Sequence, residues 1–197
     1  MSKLLNVSSS PHVRCGVSTK NLMYDVAIAM LPATIWGVMQ FGIYSLIVVV
    51  ATVLSCVLSE YLFETLMHKP VTISDGSALV TGMILGLNMP PAIPLWMPIL
   101  GGVFAIIVVK QLYGGLGQNW MNPALAARCF MLISFAQAMT KFTDPVTDAV
   151  ASATPLAAIK AGDTYDLAAM VIGKIPGTIG EVSVIALLIG EAYLLVK

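Results

Sequence analysis

The chain carries apolar runs too long and too poor in charge for a water-soluble domain. Residues 22–41 and 43–66 are separated by Gly42 alone, and further runs cover 77–89, 95–112, 123–139 and 179–196. A helix needs about 20 apolar residues to cross the hydrocarbon core of a bilayer, so the first, second and last runs qualify. Run 77–89 is shorter, stops at Pro90-Pro91 and leads into Ile93-Pro94-Leu95-Trp96, which predicts a short or tilted helix ending in a proline-rich bend. Interrupted helices of that kind often border binding sites in membrane proteins. With 58% hydrophobic and 10% charged residues in a length of 197, and a mean hydropathy of +0.89, the composition lies well outside that of soluble domains. The expected fold is an all-α integral membrane protein, a multi-helix bundle with a proline-broken helix.

The first 21 residues are polar, carry Lys3, Arg14 and Lys20 and lack an apolar core, which predicts a cytoplasmic N-terminal tail and no cleavable signal. Lys and Arg near helix ends favour the cytoplasmic side. With the N-terminus inside, the inner segments hold Lys3, Arg14, Lys20, Lys69, Lys110, Arg128 and Lys197, and the outer bends 40–42 and 90–94 hold none. The expected organisation is a tail over 1–21, transmembrane helices over 22–139 with the third one broken, an extracytoplasmic loop over 140–178 and a further transmembrane helix over 179–197. In the loop, Lys141, Lys160 and Lys174 are offset by Asp144, Asp148, Asp163 and Asp166.

The chemistry-bearing residues exclude several functions. Cys15, Cys56 and Cys129 are far apart, and neither His12 nor His68 stands at ligand spacing from them, so no metal, haem or iron–sulfur motif is expected within this chain. A net charge of zero without a basic cluster argues against nucleic acid. The Gly114-Gly115-Leu116-Gly117 stretch is no dinucleotide loop, because no strand precedes it. Asn122 followed by Pro123 is a good helix start. Asn119 lies three residues before Asn122, and side-chain amides both donate and accept hydrogen bonds. Ionisable residues inside a bilayer are costly and face the bundle interior, so Asp25, Glu60 and Glu64 need partners or a task. Asp75 and Glu181 precede apolar runs, where a carboxylate favours the positive end of a helix dipole. The methionines and Trp36, Trp96 and Trp120 read as packing and interfacial anchors. Taken alone, Ser152-Ala153-Thr154-Pro155-Leu156 is a turn.

Asp148 to Leu156 nevertheless resembles the flavinylation motif of the NqrB/RnfD family of respiratory membrane subunits. The Ser10-Pro11-His12 start, the loop Gly114 to Ala124 and the segment Ile175 to Glu181 are similar to the same family, in family order and over essentially the whole chain. The short N-terminal tail and the motifs are closer to RnfD-type members than to NqrB. Ala153 stands where glycine is common in that motif, a mild departure.

The resemblance implies covalent FMN held through a phosphoester on Thr154, with Ser152 and Ala153 in the attachment motif and a separate flavin transferase using FAD. It also implies noncovalent riboflavin near Asn119 and Asn122, and an ion-path carboxylate at Glu60. The fold it implies is the first half of an inverted-repeat architecture similar to that of urea transporters, within a longer protein. The implied function is electron transfer across the cytoplasmic membrane of a bacterium or archaeon, inside an Rnf-type ferredoxin:NAD⁺ oxidoreductase that moves Na⁺ or H⁺. The implied partners are an RnfG-like covalent flavoprotein and RnfA-, RnfE- and RnfC-like subunits. Two other classes share these features, a small-solute channel or carrier of urea-transporter-like architecture and a structural anchor for redox partners. Bound flavin separates the first from the electron-transfer reading, and Thr154→Val separates the second.

Overall fold

A computed structural model describes residues 18–143, 150–151, 160 and 167–197. Two long antiparallel helices form its frame. Helix α1 (Thr19–Phe41) is capped by Ser18, whose hydroxyl accepts from Asn21 N–H, and α2 (Ile43–Leu66) follows after Gly42 alone. Their 23 and 24 residues reach roughly 35 Å at the helical rise, enough to cross a membrane. The other apolar helices are shorter: α3 (Ser77–Leu87), α4 (Trp96–Gln111), α5 (Pro123–Ser134) and, after a four-residue α6 (Ala136–Met139) and a six-residue α7 (Leu167–Ile172), α8 (Val184–Val196). The regular secondary structure among the described residues is thus helical apart from one pairing of two-residue strands, β1 (Phe142–Thr143) with β2 (Val150–Ala151), in which Phe142 faces Ala151.

The polarity of α2 is turned inside out relative to a soluble helix. Ile47, Val50, Leu54, Leu58 and Leu62 are exposed at helical spacing, while Ser45, Thr52, Ser55, Ser59, Glu60 and Glu64 are buried. An apolar stripe of this length facing outward suits lipid, and the polar stripe faces the bundle as intramembrane polar groups do. Thr52 satisfies its own hydroxyl on the Val48 carbonyl at 2.7 Å. Inside, Val48 and Val49 of α2 meet Leu85 and Leu87 of α3, Met131 of α5 and the bend residues Met89 and Ile93 in one buried cluster.

Helices α2 and α3 cross closely. A Cβ on Gly82 would lie 2.6 Å from Val53 Cα, and one on Gly86 would lie 3.0 Å from Val49 Cα. Small residues four apart let two backbones touch, the packing on which helices without a hydrophobic driving force depend. Gly82→Ala is therefore expected to cost about 1–3 kcal/mol by forcing these helices apart. A lowered melting temperature of the detergent-solubilised protein would show it.

The last apolar run departs from the expectation of one long spanning helix over 179–196. Only Val184–Val196 is helical, started by Ser183, whose hydroxyl accepts from Ala186 N–H. The residues just before it form turns, with Ile179 and Val182 buried: Ile179 N–H donates to Met89 O at 3.1 Å and Gly180 N–H to Leu87 O at 2.8 Å, a backbone clasp on the end of α3. Ile179 packs so closely on α1 that a Cβ at Gly37 would meet its carbonyl. Apolar content alone does not separate a partly buried turn from the start of a helix. Glu181, expected at a helix dipole, instead takes Arg128 Nη1 at 3.2 Å, and the same guanidinium donates to Asn88.

Candidate functional site

Where α2, α3 and α4 meet, the bundle encloses a polar cluster. Its centre is Glu60, with no exposed surface, against Lys110, 2% exposed, at an Nζ–Oε1 distance of 2.6 Å. Lys110 Nζ also donates to Ser77 Oγ at 2.6 Å, and Ser77 in turn donates to Asp75 Oδ1 at 2.6 Å. Gln111 Nε2 donates to Glu60 Oε1 at 2.8 Å and lies 3.3 Å from Glu64 Oε1. Glu64 accepts from both the backbone N–H and the hydroxyl of Thr72, an exposed residue of the loop after α2. The hydrogen bonds therefore form an unbroken chain from water at Thr72, through Glu64 and Gln111, to the buried carboxylate of Glu60.

Local structure explains how consecutive residues Lys110 and Gln111 both turn inward. The second half of α4, from Phe104 to Gln111, is a π-helix, carried on by Leu112 N–H donating to Ile107 O at 3.1 Å. Its wider turn brings neighbouring side chains closer in direction than an α-helix does, and such stretches frequently occur at functional sites. At the change of helix type, α2 supplies donors to α4 carbonyls. Ser55 Oγ reaches Ile99 O at 2.7 Å and Cys56 Sγ reaches Gly102 O at 3.9 Å. At the start of α3, Asp75 Oδ1 accepts from Ser77 N–H at 2.8 Å, the helix-start role expected for a carboxylate there.

Beside this cluster lies a cavity of about 420 Å³, and Lys110 and Ser77 belong to both. Its other polar lining is Thr81, Asn119 and Asn122, and Met23, Val80 and Leu116 are among its apolar walls. Each asparagine spends half of its amide locally. Asn122 Oδ1 caps α5, accepting from Ala124 N–H at 3.0 Å, and Asn119 Nδ2 donates to Met121 O at 2.7 Å. What remains for a ligand is the Asn122 Nδ2 donor and the Asn119 Oδ1 acceptor, a narrower offer than two free amides but still a matched donor and acceptor. Apolar walls, a few polar groups and a volume inside the usual range of about 300–1,000 Å³ fit a flat, amphipathic heterocycle such as a flavin.

Of the residues singled out in the sequence, Asn119 and Asn122 share this cavity and Glu60 joins it through Lys110. Ser152, Ala153 and Thr154 lie outside the described residues. Ala151, immediately before them, pairs with Phe142 just beyond α6. That is the end of the bundle where Phe135 meets the Trp96 ring edge-on at 5.2 Å, and α5, rising roughly 18 Å, separates it from Asn122. Asp25, near the start of α1, accepts from Tyr193 Oη at 3.1 Å and stands 3.8 Å from Lys197 Nζ. Among the described residues no group of His, Cys, Asp and Glu could hold a metal ion in the manner of a metalloprotein site.

Sequence reasoning misses Lys110, Gln111, Ser77 and Thr72. It places Lys110 among the inner-side topological charges, whereas the side chain is buried within a helix. The available signal is an ionisable residue of each sign inside separate apolar runs, which by the cost of intramembrane charge names a pair.

The model of the NQR2, RnfD, RnfE family matches residues 6–197. The chain is 46% identical over 199 residues to the D subunit of the Na(+)-translocating ferredoxin:NAD(+) oxidoreductase complex of Acetobacterium woodii, covering 98% of this chain and 63% of that protein. It is 40% identical over 208 residues to the D subunit of the proton-translocating ferredoxin:NAD(+) oxidoreductase complex of Clostridium ljungdahlii, with coverage of 98% and 63%. With the D subunit of the ion-translocating oxidoreductase complex of Rhodobacter capsulatus the identity is 31% over 223 residues, covering 95% and 62%. The chain thus spans a little under two thirds of the length of these relatives.

Proposed function

The chain belongs to the NQR2, RnfD, RnfE family, and on that premise we propose that it is the membrane electron-transfer subunit of an Rnf-type ferredoxin:NAD⁺ oxidoreductase. In this reading it carries covalent FMN on Thr154 and noncovalent riboflavin at Asn119 and Asn122. It works in the cytoplasmic membrane with an RnfG-like flavoprotein and RnfA-, RnfE- and RnfC-like subunits, in a complex that moves Na⁺ or H⁺. The observation that carries the proposal is the junction of a flavin-sized cavity with a buried, paired carboxylate, both touching Lys110 and Ser77. A solute channel needs no ion pair sealing its polar interior.

A bound flavin would supply the redox chemistry that side chains lack, leaving the protein to bind, orient and tune it. Asn122 Nδ2 and Asn119 Oδ1 would orient the polar edge of the ring, and Lys110 would place a positive charge at the cavity wall. Glu60 would take up the cation, with Glu64, Gln111 and Thr72 as its approach from water. The placement of Ala151 at the end of the bundle away from Asn122 supports flavins at opposite faces of the membrane, with the Thr154 loop outside.

The test is a flavin inventory of the complex purified with its own flavin transferase. One acid-resistant FMN on this subunit and one extractable riboflavin are expected; neither being present would refute the reading and favour the channel. Asn122→Ser refines it, because serine is as good a helix cap as asparagine but lacks the amide donor. Extractable riboflavin should fall while the melting temperature holds. Equal loss with Asn122→Ala and full retention with Asn122→Ser would mean that Asn122 is only a cap.

A further inference from the structure

Glu60 is satisfied on one side only. Lys110 and Gln111 both donate to Oε1, and Oε2 is buried without a hydrogen-bond partner. A buried carboxylate oxygen without a donor is costly, since it has lost water and gained nothing in return. Charge sharpens the deficit, because Glu60, Glu64 and Asp75 are linked in one network to the single ammonium of Lys110 among the described residues. Lys110 Nζ sits 2.6 Å from both Glu60 Oε1 and Ser77 Oγ, between oxygens of the hard type that alkali and alkaline-earth cations select.

The same side chain lines the cavity with Asn119 and Asn122. A lysine stem is flexible and its ammonium is a compact point charge, so Lys110 has a polar place to go when it leaves Glu60.

We infer that the Lys110 ammonium is a tethered occupant of an alkali-cation site on Glu60, and that a free cation of the sodium class binds there when Lys110 swings into the cavity. The inference rests on the proposed reading of Glu60 as the ion-handling carboxylate. It adds the residue that competes with the ion. Exchange at Glu60 then never leaves the carboxylate without a positive charge, and the position of Lys110 ties the state of the cavity to the state of the ion site.

The experiment is infrared difference spectroscopy of the carboxylate bands on the whole purified complex, with choline chloride exchanged for sodium chloride at constant ionic strength. A competitor that holds Glu60 for about nine tenths of the time weakens apparent sodium binding about tenfold. Lys110→Gln should therefore lower the sodium half-saturation by about that factor, and the signal should vanish in Lys110→Gln/Glu60→Gln. Lys110→Arg, which keeps a fixed charge on the carboxylate and covers the case in which Lys110→Gln does not assemble, should raise the half-saturation. A wild-type half-saturation in either single variant, or a signal in Lys110→Gln that answers only to pH, would overturn the inference. The reading beneath it fails separately, if Glu60→Gln leaves ion transport by the reconstituted complex unchanged.

Discussion

Thr154→Val is expected to strip the denatured subunit of all flavin fluorescence and to lower its intact mass by one FMN. Valine copies the branched shape of threonine and removes the hydroxyl. Without that oxygen no phosphoester forms, whatever enzyme activates the site. The effect is all or none because covalent attachment has no partial form. Thr154→Ser keeps the nucleophile and should retain label. The extractable riboflavin at Asn119 and Asn122 should persist in Thr154→Val, since α5 separates that cavity from the end of the bundle where Ala151 pairs with Phe142. Electron flow through the complex should fall to background while assembly survives. Full electron transfer in an unlabelled Thr154→Val complex would reduce the protein to a structural anchor. A wild-type protein without label, made alongside its transferase, would remove the flavin reading altogether.

How much of the molecule is legible in its sequence depends on how far each feature's cause lies along the chain. The long helices α1 and α2 are readable because length and apolar content are local properties. So are the short α3, bounded by Pro90, and the start of α5, where Asn122 and Pro123 form the signal themselves. The turn at Ile179 is not readable, because its hydrogen bonds go to Met89 and Leu87, far away in sequence. The π-helix in α4 leaves no mark in the apolar pattern, and it carries both Lys110 and Gln111 to Glu60. The flavin motif around Thr154 is the opposite case. Its residues alone are an ordinary turn, and only a resemblance gives them chemistry.

The Glu60–Lys110 pair should also be the most damaging one to break by half. Removing one partner of a buried ion pair leaves an uncompensated charge and costs about 3–5 kcal/mol, whereas replacing both by neutral groups is often nearly neutral. Lys110→Met leaves Glu60 with Gln111 as its remaining donor to Oε1 and nothing at Oε2. Glu60→Gln leaves the ammonium with Ser77 and no carboxylate in direct contact. Each single variant is expected to lower the stability of the detergent-solubilised complex by several kcal/mol, and Lys110→Met/Glu60→Gln to regain most of the loss. That non-additivity, read as a coupling energy from a double-mutant cycle, reports the pair itself rather than the packing of either residue. Stability and function should then part. The double variant would be nearly as stable as wild type and unable to move ions, because the charge that folding must neutralise is the charge that the cation needs. Additive losses would mean that Glu60 and Lys110 are held independently, and the pair would lose its place at the centre of the site.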